Sequence, residues 1–430
     1  MQGDPLTHGL WEVSAPPAPA TGPLRGRIAV DVAVIGAGFT GLSAALHVAE
    51  GGGSVAVLEA AEIGFGASGR NVGLVNAGLW VMPDELPQRL GPVYGPRLLQ
   101  ALSDAPSVVF DLIARHGIAC EPVRHGTLHC AVGTRGLAGL HRRVAQWQRL
   151  GAPVLLLDAG ETAARTGTSA YAGALLDRRA GTIQPLAYVR GLARAALAAG
   201  AALHSRSAVV AIEDLGANWR LKTSAGGEVE ARWVIVATNA YAAPGSPWPE
   251  LSGELVRLPY FNMATSPLPQ ALRDTILPGG EGAWDTRAVL SSLRLDQAGR
   301  LVFGSIGALR GAGRAIHRDW GRRALARLYP QLRGMDFEYE WYGWIGTTAD
   351  AVPRLHSLGR NIVSFSGYNG RGIAPGTVFG RELARLVLGQ VGLEALPLPV
   401  VDVAAAVFKP WREAFYEAGA GLVHAAGARW

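Results

Sequence analysis

The glycine spacing after a short apolar run constrains the fold of this chain more than any other feature. Residues 32–35 have the length and the β-branched content of a strand that is buried on both faces. Gly36, Gly38 and Gly41 follow in the order G-x-G-x-x-G, and apolar residues then recur at helical spacing. Gly36 permits a tight turn, Gly38 lets the backbone approach a ligand, and Gly41 lets the helix lie close to the sheet. The pattern predicts a strand, a turn and a helix that bind a phosphate group.

The helix and the strand that follow extend this unit. Phe39 and Thr40 open the helix, where unpaired N–H groups and the positive end of the helix dipole would face the phosphates. Three glycines at residues 51–53 end the helix, and residues 55–58 form a second buried strand that leads to Glu59. A carboxylate there accepts hydrogen bonds from ribose hydroxyls and favours FAD or NAD over NADP. The sequence therefore predicts a dinucleotide-binding βαβ unit.

Size and composition narrow the class of protein. The 430 residues are enough for two domains with cores of their own. No run of 18 residues is both apolar and free of charge, so we predict no transmembrane segment. The first residues lack the features of a signal peptide, and Cys120 and Cys130 match no metal or redox spacing. We therefore expect a cytoplasmic protein.

The basic character of the chain does not point to a nucleic-acid partner. The formal net charge is +6, and only two of the 40 basic residues, Lys222 and Lys409, are lysines. The arginines are scattered, and their densest group, in residues 322–333, fits the solvated face of a helix. His125 and His129 fall on a predicted strand with no third ligand in sight, so we predict no metal site.

Two more segments are rich in glycine and end predicted strands. Residues 63–73 contain four glycines with a serine, an arginine and an asparagine, which is typical of a loop that approaches a ligand. Residues 361–366 form an apolar strand, and a glycine loop at 367–372 then leads into a helix over 375–388. The long interval between the two strand–loop–helix units indicates a discontinuous nucleotide domain with an antiparallel layer inserted.

The composition of the chain suggests where its domains begin and end. Residues 13–24 are rich in proline and alanine and predict an extended arm. The residues before them either pack on the body through Leu10 and Trp11 or fray. The predicted division is an N-terminal arm at 1–27, cofactor-domain segments at 28–92, 179–246 and 343–430, and substrate-domain segments at 93–178 and 247–342.

With these pieces the chain resembles the D-amino-acid oxidase superfamily of FAD enzymes, in its glycine/sarcosine oxidase-like branch. The shared motifs are G-F-G-A-S-G-R-N at 64–71, A-T-N-A-Y at 237–241 and G-Y-x-G-x-G at 367–372. Within the branch the chain is most similar to bacterial γ-glutamylputrescine oxidase-like and L-pipecolate oxidase-like proteins. The resemblance implies an α/β architecture of the α+β two-domain kind: a Rossmann-like FAD domain of the glutathione-reductase type and an antiparallel substrate domain.

The resemblance also assigns cofactor-binding residues. The glycine turn would hold the pyrophosphate, Glu59 the adenosine ribose and Val209 the adenine, and the loop before residue 373 would present N–H groups to the flavin N1/O2 edge. The residues implied are Gly36, Gly38, Phe39, Thr40, Gly41, Glu59, Ser68, Gly69, Arg70, Asn71, Val209, Thr238, Asn239, Gly367, Gly370, Gly372 and Ile373.

Three departures from sarcosine oxidases shape the prediction. The position of their flavin-linking cysteine is Gly343 here, so we predict non-covalent FAD. The lysine that activates oxygen in those enzymes corresponds to Val302, which leaves O2 and a quinone as alternative electron acceptors, the latter with peripheral membrane association. The lysine that binds the substrate carboxylate corresponds to Ala374, and Arg371 is the nearest cation that replaces it.

The resemblance implies that an amine Cα–H is delivered as hydride to flavin N5 and that no protein base is needed. The first predicted substrate is a secondary cyclic amino acid such as L-pipecolate, with γ-glutamylputrescine, another polyamine or a D-amino acid as alternatives. An NAD(P)H-dependent flavin monooxygenase and an RNA-acting flavoprotein are the alternatives of other classes. The predicted pocket residues are Tyr260, Met263, Tyr342, Trp344, Tyr368 and Arg371.

Overall fold

The structure is a computed structural model that describes residues 8–427. Within them, helices α1 to α12 run over Leu10–Ser14, Phe39–Glu50, Glu85–Ser103, Ala105–Arg115, Gly133–Arg149, Ala159–Thr166, Pro185–Ala198, Pro249–Glu254, Gln270–Arg273, Ala312–Leu328, Ile373–Val387 and Lys409–Ala426. Strands β1 to β18 run over Arg27–Ile35, Val55–Leu58, Leu74–Val75, Thr127–Cys130, Val154–Leu157, Ala174–Asp177, Gly181–Thr182, Ala202–His204, Val209–Asp214, Trp219–Thr223, Glu228–Val236, Val256–Pro267, Gly282–Asp285, Ser291–Leu295, Arg300–Ile306, Phe337–Thr347, Arg354–Gly359 and Ile362–Ser366.

One sheet, the cofactor sheet, has the strand order β17-β18-β11-β1-β2-β8. Its central strands are parallel: Val32 of β1 lies beside Val55 of β2 on one side and Trp233 of β11 on the other. Helix α2 packs between α7 and α11 against this sheet. The apolar runs at residues 32–35 and 55–58 are buried, as expected for strands of a parallel sheet that helices cover. The predicted βαβ unit is therefore confirmed.

The second sheet, the substrate sheet, has the order β16-β12-β15-β14-β13-β4-β6-β5 and is antiparallel except for the β13–β4 pair. Successive side chains of a strand point to opposite faces. On β12, Asn262 lies on the face toward the cofactor domain, where its amide donates to Arg70 O, whereas Met263 joins a core cluster with Trp320 of α10. We call these two faces the cofactor-facing side and the helix-covered side.

The two-sheet architecture agrees with the predicted fold class, whereas the detailed division into domains stays a prediction. One boundary needs correction. The predicted limit between residues 342 and 343 falls inside β16, and this strand pairs with β12 from Phe337 to Thr347. Because a strand cannot belong to two domains along one continuous ladder, the limit belongs after Thr347.

The N-terminal segment packs on the body from His8 onward, and residues 1–7 lie outside the described residues. Leu10 and Trp11 are buried in the short helix α1. Trp11 donates from Nε1 to Asn71 O at 2.9 Å and meets the ring of Trp341 edge to face at 5.3 Å. Of the two alternatives for this segment, packing holds for its described part. The helix extends to Ser14, so the extended arm begins after that residue.

Candidate active site

The glycine turn brings strand β1 and helix α2 as close as the backbone allows. A Cβ on Gly41 would stand 2.0 Å from Gly36 O, and one on Gly36, whose φ is +103°, would stand 2.9 Å from Ala237 O. Both positions therefore require glycine. Helix α2 opens at Phe39 without a capping side chain from its N-cap residue Gly38, which leaves the positive end of the helix at the turn.

Glu59 closes the turn from the end of β2. Its Oε2 accepts from Ala37 N at 2.8 Å and its Oε1 accepts from Ala61 N at 2.9 Å. Burial raises the pKa of Glu59, and the backbone N–H groups around it oppose that shift. The carboxylate is therefore held beside the glycine turn with lone pairs left to accept from hydroxyl groups.

The loop over residues 64–73 runs from the glycine turn to the substrate sheet. Ser68 Oγ accepts from Phe39 N at 3.1 Å, at the start of α2. A Cβ on Gly69 would stand 2.3 Å from Gly64 O, so the loop folds tightly on itself. The amide of Asn71 donates to Ala67 O and Ser68 O, both at 3.0 Å, and holds that shape.

Arg70 anchors this loop between the two domains. Its side chain is buried and donates from Nε to Phe65 O at 2.8 Å. Its carbonyl oxygen accepts from Asn262 Nδ2 and Trp341 Nε1 of the substrate sheet, each at 3.0 Å. The backbone of Arg70 is thereby fixed against the cofactor-facing side.

The second glycine loop meets the turn after β11 through Asn239. Gly367, with φ +78°, donates its N–H to Asn239 Oδ1 at 3.0 Å, and Gly370 also has a positive φ, +84°. Helix α11 starts at Ile373. Its N-cap residue is Gly372, so no N-cap side chain accepts hydrogen bonds from the first N–H groups of the helix. A positively polarised helix end therefore lies behind Gly370.

Three other predicted residues occupy the cofactor domain. Val209 is buried at the start of β9, and Thr238 precedes Asn239 in the turn after β11. The hydroxyl of Thr40 lies 2.7 Å from that of Tyr368, whose ring stacks on Phe379 of α11. Tyr368 is thus part of the packing between α2 and α11, and its assignment to the substrate pocket stays a prediction.

The alternation of strand side chains separates the remaining pocket candidates. Tyr260 lies two residues from Asn262, on the cofactor-facing side, and its hydroxyl is 2.7 Å from Ser292 Oγ. Met263, Tyr342 and Trp344 pack on the helix-covered side. Each stands an odd number of positions from Asn262 or Trp341, the cofactor-facing residues of the two strands, so its side chain points to the opposite face. Their assignment to the pocket stays a prediction.

Arg371 lies at the interface between the two domains. Its side chain is buried, and Nη1 donates to Ala77 O at 2.8 Å. The guanidinium stands 4.7 Å from the ring centre of Trp80 and 5.6 Å from that of Trp284. Within residues 8–427 no carboxylate pairs with it, and Nε has no hydrogen-bond partner. Burial, followed by the charge of Arg143, lowers the pKa of Arg371 to about 9.

A cavity that sequence reasoning missed surrounds this guanidinium. Its lining includes His129, Arg143, Asp177 and Trp284 together with Arg371. Arg143 is held by the carbonyl oxygens of residues 79 and 80, and burial lowers its pKa to about 10. The charge of Asp177 is taken up by a hydrogen-bonded ion pair with the neighbouring arginine at 179. The cavity therefore keeps an excess of positive charge.

The histidine of the cavity is neutral. Burial and the charge of Arg143 lower the pKa of His129 well below its usual value. Its ring stacks on Trp284 at 4.9 Å. Within the described residues, Nδ1 of His129 and Nε1 of Trp284 have no hydrogen-bond partner. Buried polar groups normally have partners, so these atoms and Arg371 Nε indicate a ligand that accepts hydrogen bonds.

The close backbone contacts at the glycine turn and the uncapped N-termini of α2 and α11 fit a dinucleotide that carries a flavin. A Cβ on Gly38 would stand 2.9 Å from Ser68 Oγ, so the glycine turn and the loop of residues 64–73 approach each other closely at that point. Gly343 occupies the position of the cysteine that links the flavin in sarcosine oxidases and carries no thiol. Cys120 and Cys130 are both buried. No helix within residues 8–427 has both the length and the apolar character needed to cross a membrane.

The comparisons with known proteins agree with this geometry. The sequence profile described as FAD dependent oxidoreductase, DAO, matches residues 31–386. The chain is 34% identical over 372 residues to γ-glutamylputrescine oxidoreductase of Escherichia coli (strain K12), with 85% of each chain covered. It is 32% identical over 394 residues to the probable oxidoreductase OrdL of Rhizobium meliloti (strain 1021), with 90% of each covered.

A solved structure supports the fold. The crystal structure of glycine oxidase from Geobacillus kaustophilus superposes with a TM-score of 0.70 at 23% identity, covering 85% of this chain and 96% of that one. The predicted family, the two-domain fold and FAD as the cofactor are confirmed, whereas non-covalent attachment of FAD stays a prediction. The chain belongs to the DAO family of FAD-dependent oxidoreductases and acts on amine or amino-acid substrates.

Proposed function

We propose that this enzyme oxidises an amine that carries a carboxylate, and that Arg371 binds this carboxylate. The observation that carries the proposal is the buried guanidinium with no acidic partner in the described part of the chain. An unpaired buried charge is costly, and a planar guanidinium matches a carboxylate with two parallel hydrogen bonds. A carboxylate ligand would offset that cost.

The residues around Arg371 would orient the substrate and exclude water. Trp80 and Trp284 lie near the guanidinium, which strengthens its interaction with an anion by removing solvent. Trp80 is itself fixed because its Nε1 donates to Asn369 O at 2.7 Å. Neutral His129 brings no additional charge, and its Nδ1 is available to the ligand.

FAD supplies a two-electron acceptor that takes hydride from the carbon next to the substrate nitrogen. We propose that the glycine turn, Glu59 and Ser68 hold its nucleotide part, and that Arg70 and the start of α11 lie at the flavin. The positive end of α11 favours negative charge that develops there. The substrate nitrogen loses a proton, and the resulting imine is hydrolysed by water.

Two substrates follow from separate observations. A secondary cyclic amino acid such as L-pipecolate carries a carboxylate beside its amine, which suits the unpaired positive charge of Arg371. γ-Glutamylputrescine also carries a carboxylate, and the similarity to γ-glutamylputrescine oxidoreductase favours it. Val302, buried on the cofactor-facing side, provides no cation for oxygen activation, so O2 and a quinone are both proposed acceptors. The cytoplasmic location stays a prediction.

Anaerobic reduction of the yellow holoenzyme tests the proposal. L-Pipecolate and γ-glutamylputrescine would each be compared with a matched amine without the carboxylate, piperidine and putrescine respectively. We expect at least one carboxylate-bearing substrate to bleach the flavin and its matched amine to do so far more slowly. Equal rates for both members of each pair contradict the role of Arg371.

The same assay separates the alternatives of other classes. Bleaching by NADPH, with no response to amines, would establish a flavin monooxygenase instead. A gel shift of RNA at physiological ionic strength would support the RNA-acting flavoprotein. An oxygen electrode and a soluble quinone analogue then identify the acceptor of the reduced enzyme.

A further inference from the structure

Helix α12 (Lys409–Ala426) covers part of the substrate sheet with one side only. Ala420 and His424 are buried on that side, and the helix contacts α10 and β12. The orientation of α12 on the body is therefore fixed by packing near its C-terminal end.

The acidic residues of α12 are neutralised by the body or by the helix itself. Glu413 pairs with Lys409 at 2.5 Å and with Arg257 at 3.3 Å. Glu417 pairs with Arg310 at 2.5 Å. These ion pairs occupy the flanks of the helix, so its outward side is left without acidic charge.

The outward side of α12 is apolar along its whole length. Trp411 is 77% exposed, Phe415 72% and Leu422 73%, and Phe408 just before the helix is 73% exposed. The exposed residues within the helix, all of them apolar, are Pro410, Trp411, Ala414, Phe415, Ala418, Leu422, Val423 and Ala426. Exposed apolar surface of this extent marks an interaction site.

The spacing of these residues is that of a helix–helix seam. Phe408, Trp411, Phe415, Ala418 and Leu422 follow one another at alternating intervals of three and four, as in the a and d positions of a coiled coil. The large side chains lie mostly in the first half of the helix and small ones in the second half. An antiparallel partner with the same sequence would set Phe415 opposite Ala418 and Trp411 opposite Leu422.

We propose that this side of α12 is the seam of a homodimer, in which α12 of a second copy packs antiparallel across a two-fold axis. A two-fold contact uses the same surface on both chains, so one self-complementary helix is enough to build it. Each copy contributes Phe408, Trp411, Phe415 and Leu422, each about three-quarters exposed before association. Burying these side chains of both copies would remove roughly 1,000 Å² of surface from water, which reaches the size of a specific interface.

The charges around the seam favour a second copy over a lipid surface. Helices that lie in a membrane interface combine an apolar side with free basic residues that attract anionic lipids. Here Lys409, Arg257 and Arg310 are engaged by Glu413 and Glu417, so Arg412 is the one lysine or arginine of the described helix without an ion pair. Two copies of the outward side bring no like charges together, although each chain carries a net charge of +6.

Sedimentation velocity of the full-length holoenzyme over a range of concentrations tests the proposal. We expect twice the mass of one chain for the wild type, and a single-chain mass for Trp411→Glu and for Phe415→Glu. Leu150→Glu, which changes an exposed apolar residue on another surface, is the matched control and should remain dimeric. Flavin content and the unfolding midpoint of each variant establish that the loss is not misfolding.

The antiparallel register has its own test. Trp411→Lys and Leu422→Glu should each give a monomer. Mixing these two variants should restore a heterodimer, because Lys at 411 would face Glu at 422 of the other chain. A wild type that stays monomeric at every concentration overturns the proposal, as does a dimer that survives both glutamate substitutions. Binding of a monomeric wild type to phosphatidylglycerol vesicles, lost in Trp411→Glu, would assign the seam to a membrane instead.

Discussion

The imidazole rings of His317 and His424 meet inside the protein, with their Nδ1 atoms 2.8 Å apart. His317 belongs to α10 and His424 to α12, so the contact joins two helices that cover the substrate sheet. Trp320 stacks on His424 at 3.8 Å, and Ser305 Oγ lies 3.3 Å from its Nε2. Burial lowers the pKa of His317 to about 4, and burial with the charge of His317 lowers that of His424 to about 3. Both rings are therefore neutral at pH 7.

Acidification should destabilise the protein through this pair. In the unfolded chain each histidine binds a proton near pH 6.5, so the unfolded state takes up more protons below that pH and the free energy of unfolding falls. Arg323 adds to this effect and Glu417 offsets part of it. We expect a loss of up to about 3 kcal/mol per histidine between about pH 6.5 and pH 4.

Thermal unfolding at stepped pH measures this loss. His424→Phe keeps an aromatic ring against Trp320 and should remove much of the pH dependence, although it also removes two hydrogen bonds and lowers stability at pH 7. His141→Gln alters an exposed histidine and should leave the curve unchanged. If the stability of His424→Phe falls with pH as steeply as that of the wild type, the histidine pair does not control the pH dependence.

Replacing Arg371 should impair catalysis with carboxylate-bearing substrates. We expect Arg371→Ala to lower kcat/KM by about 100-fold, since a buried charge-assisted pair contributes about 2–3 kcal/mol. Arg371→Lys should recover only part of this, because an ammonium group neither stacks between Trp80 and Trp284 nor binds a carboxylate with two parallel hydrogen bonds. Steady-state kinetics with the carboxylate substrate and its matched amine measure the effect.

An exposed arginine serves as the control for Arg371. Arg135→Ala removes a positive charge at the start of α5 and should leave kcat/KM within a factor of about two. If Arg371→Ala slows oxidation of the matched amine by the same factor as that of the carboxylate substrate, Arg371 does not bind the carboxylate.

Gly38 and Gly41, two glycines of the first turn, should differ in their tolerance of substitution by alanine. Gly41→Ala places a methyl group 2.0 Å from the backbone oxygen of Gly36 and should abolish flavin binding or folding. Gly38→Ala meets only Ser68 Oγ, at 2.9 Å, a side chain that can rotate away. We expect Gly38→Ala to fold and to bind FAD more weakly. Flavin absorbance per chain and the unfolding midpoint measure both outcomes, and equal tolerance of the two changes would refute this account.

Opposite faces of β12 should respond differently to conservative substitutions. Tyr260→Phe removes a hydroxyl on the cofactor-facing side and its contact with Ser292, so we expect kcat or KM to change. Met263→Leu changes the core on the helix-covered side, so we expect unaltered kinetics and a stability loss below about 1.5 kcal/mol. A Met263→Leu enzyme with a changed KM but wild-type stability would place Met263 in the pocket.

The parts of the fold that depend on local sequence could be predicted. The βαβ unit is encoded within about thirty residues, because apolar runs, glycine spacing and a terminal acid each have a local physical reason. Gly36, Gly41 and Glu59 accordingly occupy the places that the pattern indicates. The helical start of the N-terminal segment, around Trp11, was missed because its stability comes from contacts with Asn71 and Trp341, far along the chain.

The cavity around Arg371 could not be assembled from the sequence alone. Arg143, His129 and Trp284 come from separate elements, and only the sheet topology brings them to Arg371. The face that Met263 occupies could not be predicted for a different reason: the position of a residue in a family pattern does not specify which face of a strand it occupies. The structure establishes the face through Asn262, one position before Met263.

The contacts of helix α1 have a consequence for biosynthesis. Trp11 leaves the ribosome long before Trp341 is translated, yet its ring finds its final neighbours only when that late segment is in place. Gln184, whose amide donates to Trp11 O at 3.0 Å, emerges between them. The first helix can therefore complete its contacts only after most of the chain has been translated, and the loop of residues 64–73 is then held by one tryptophan that precedes it and one that follows it in the sequence.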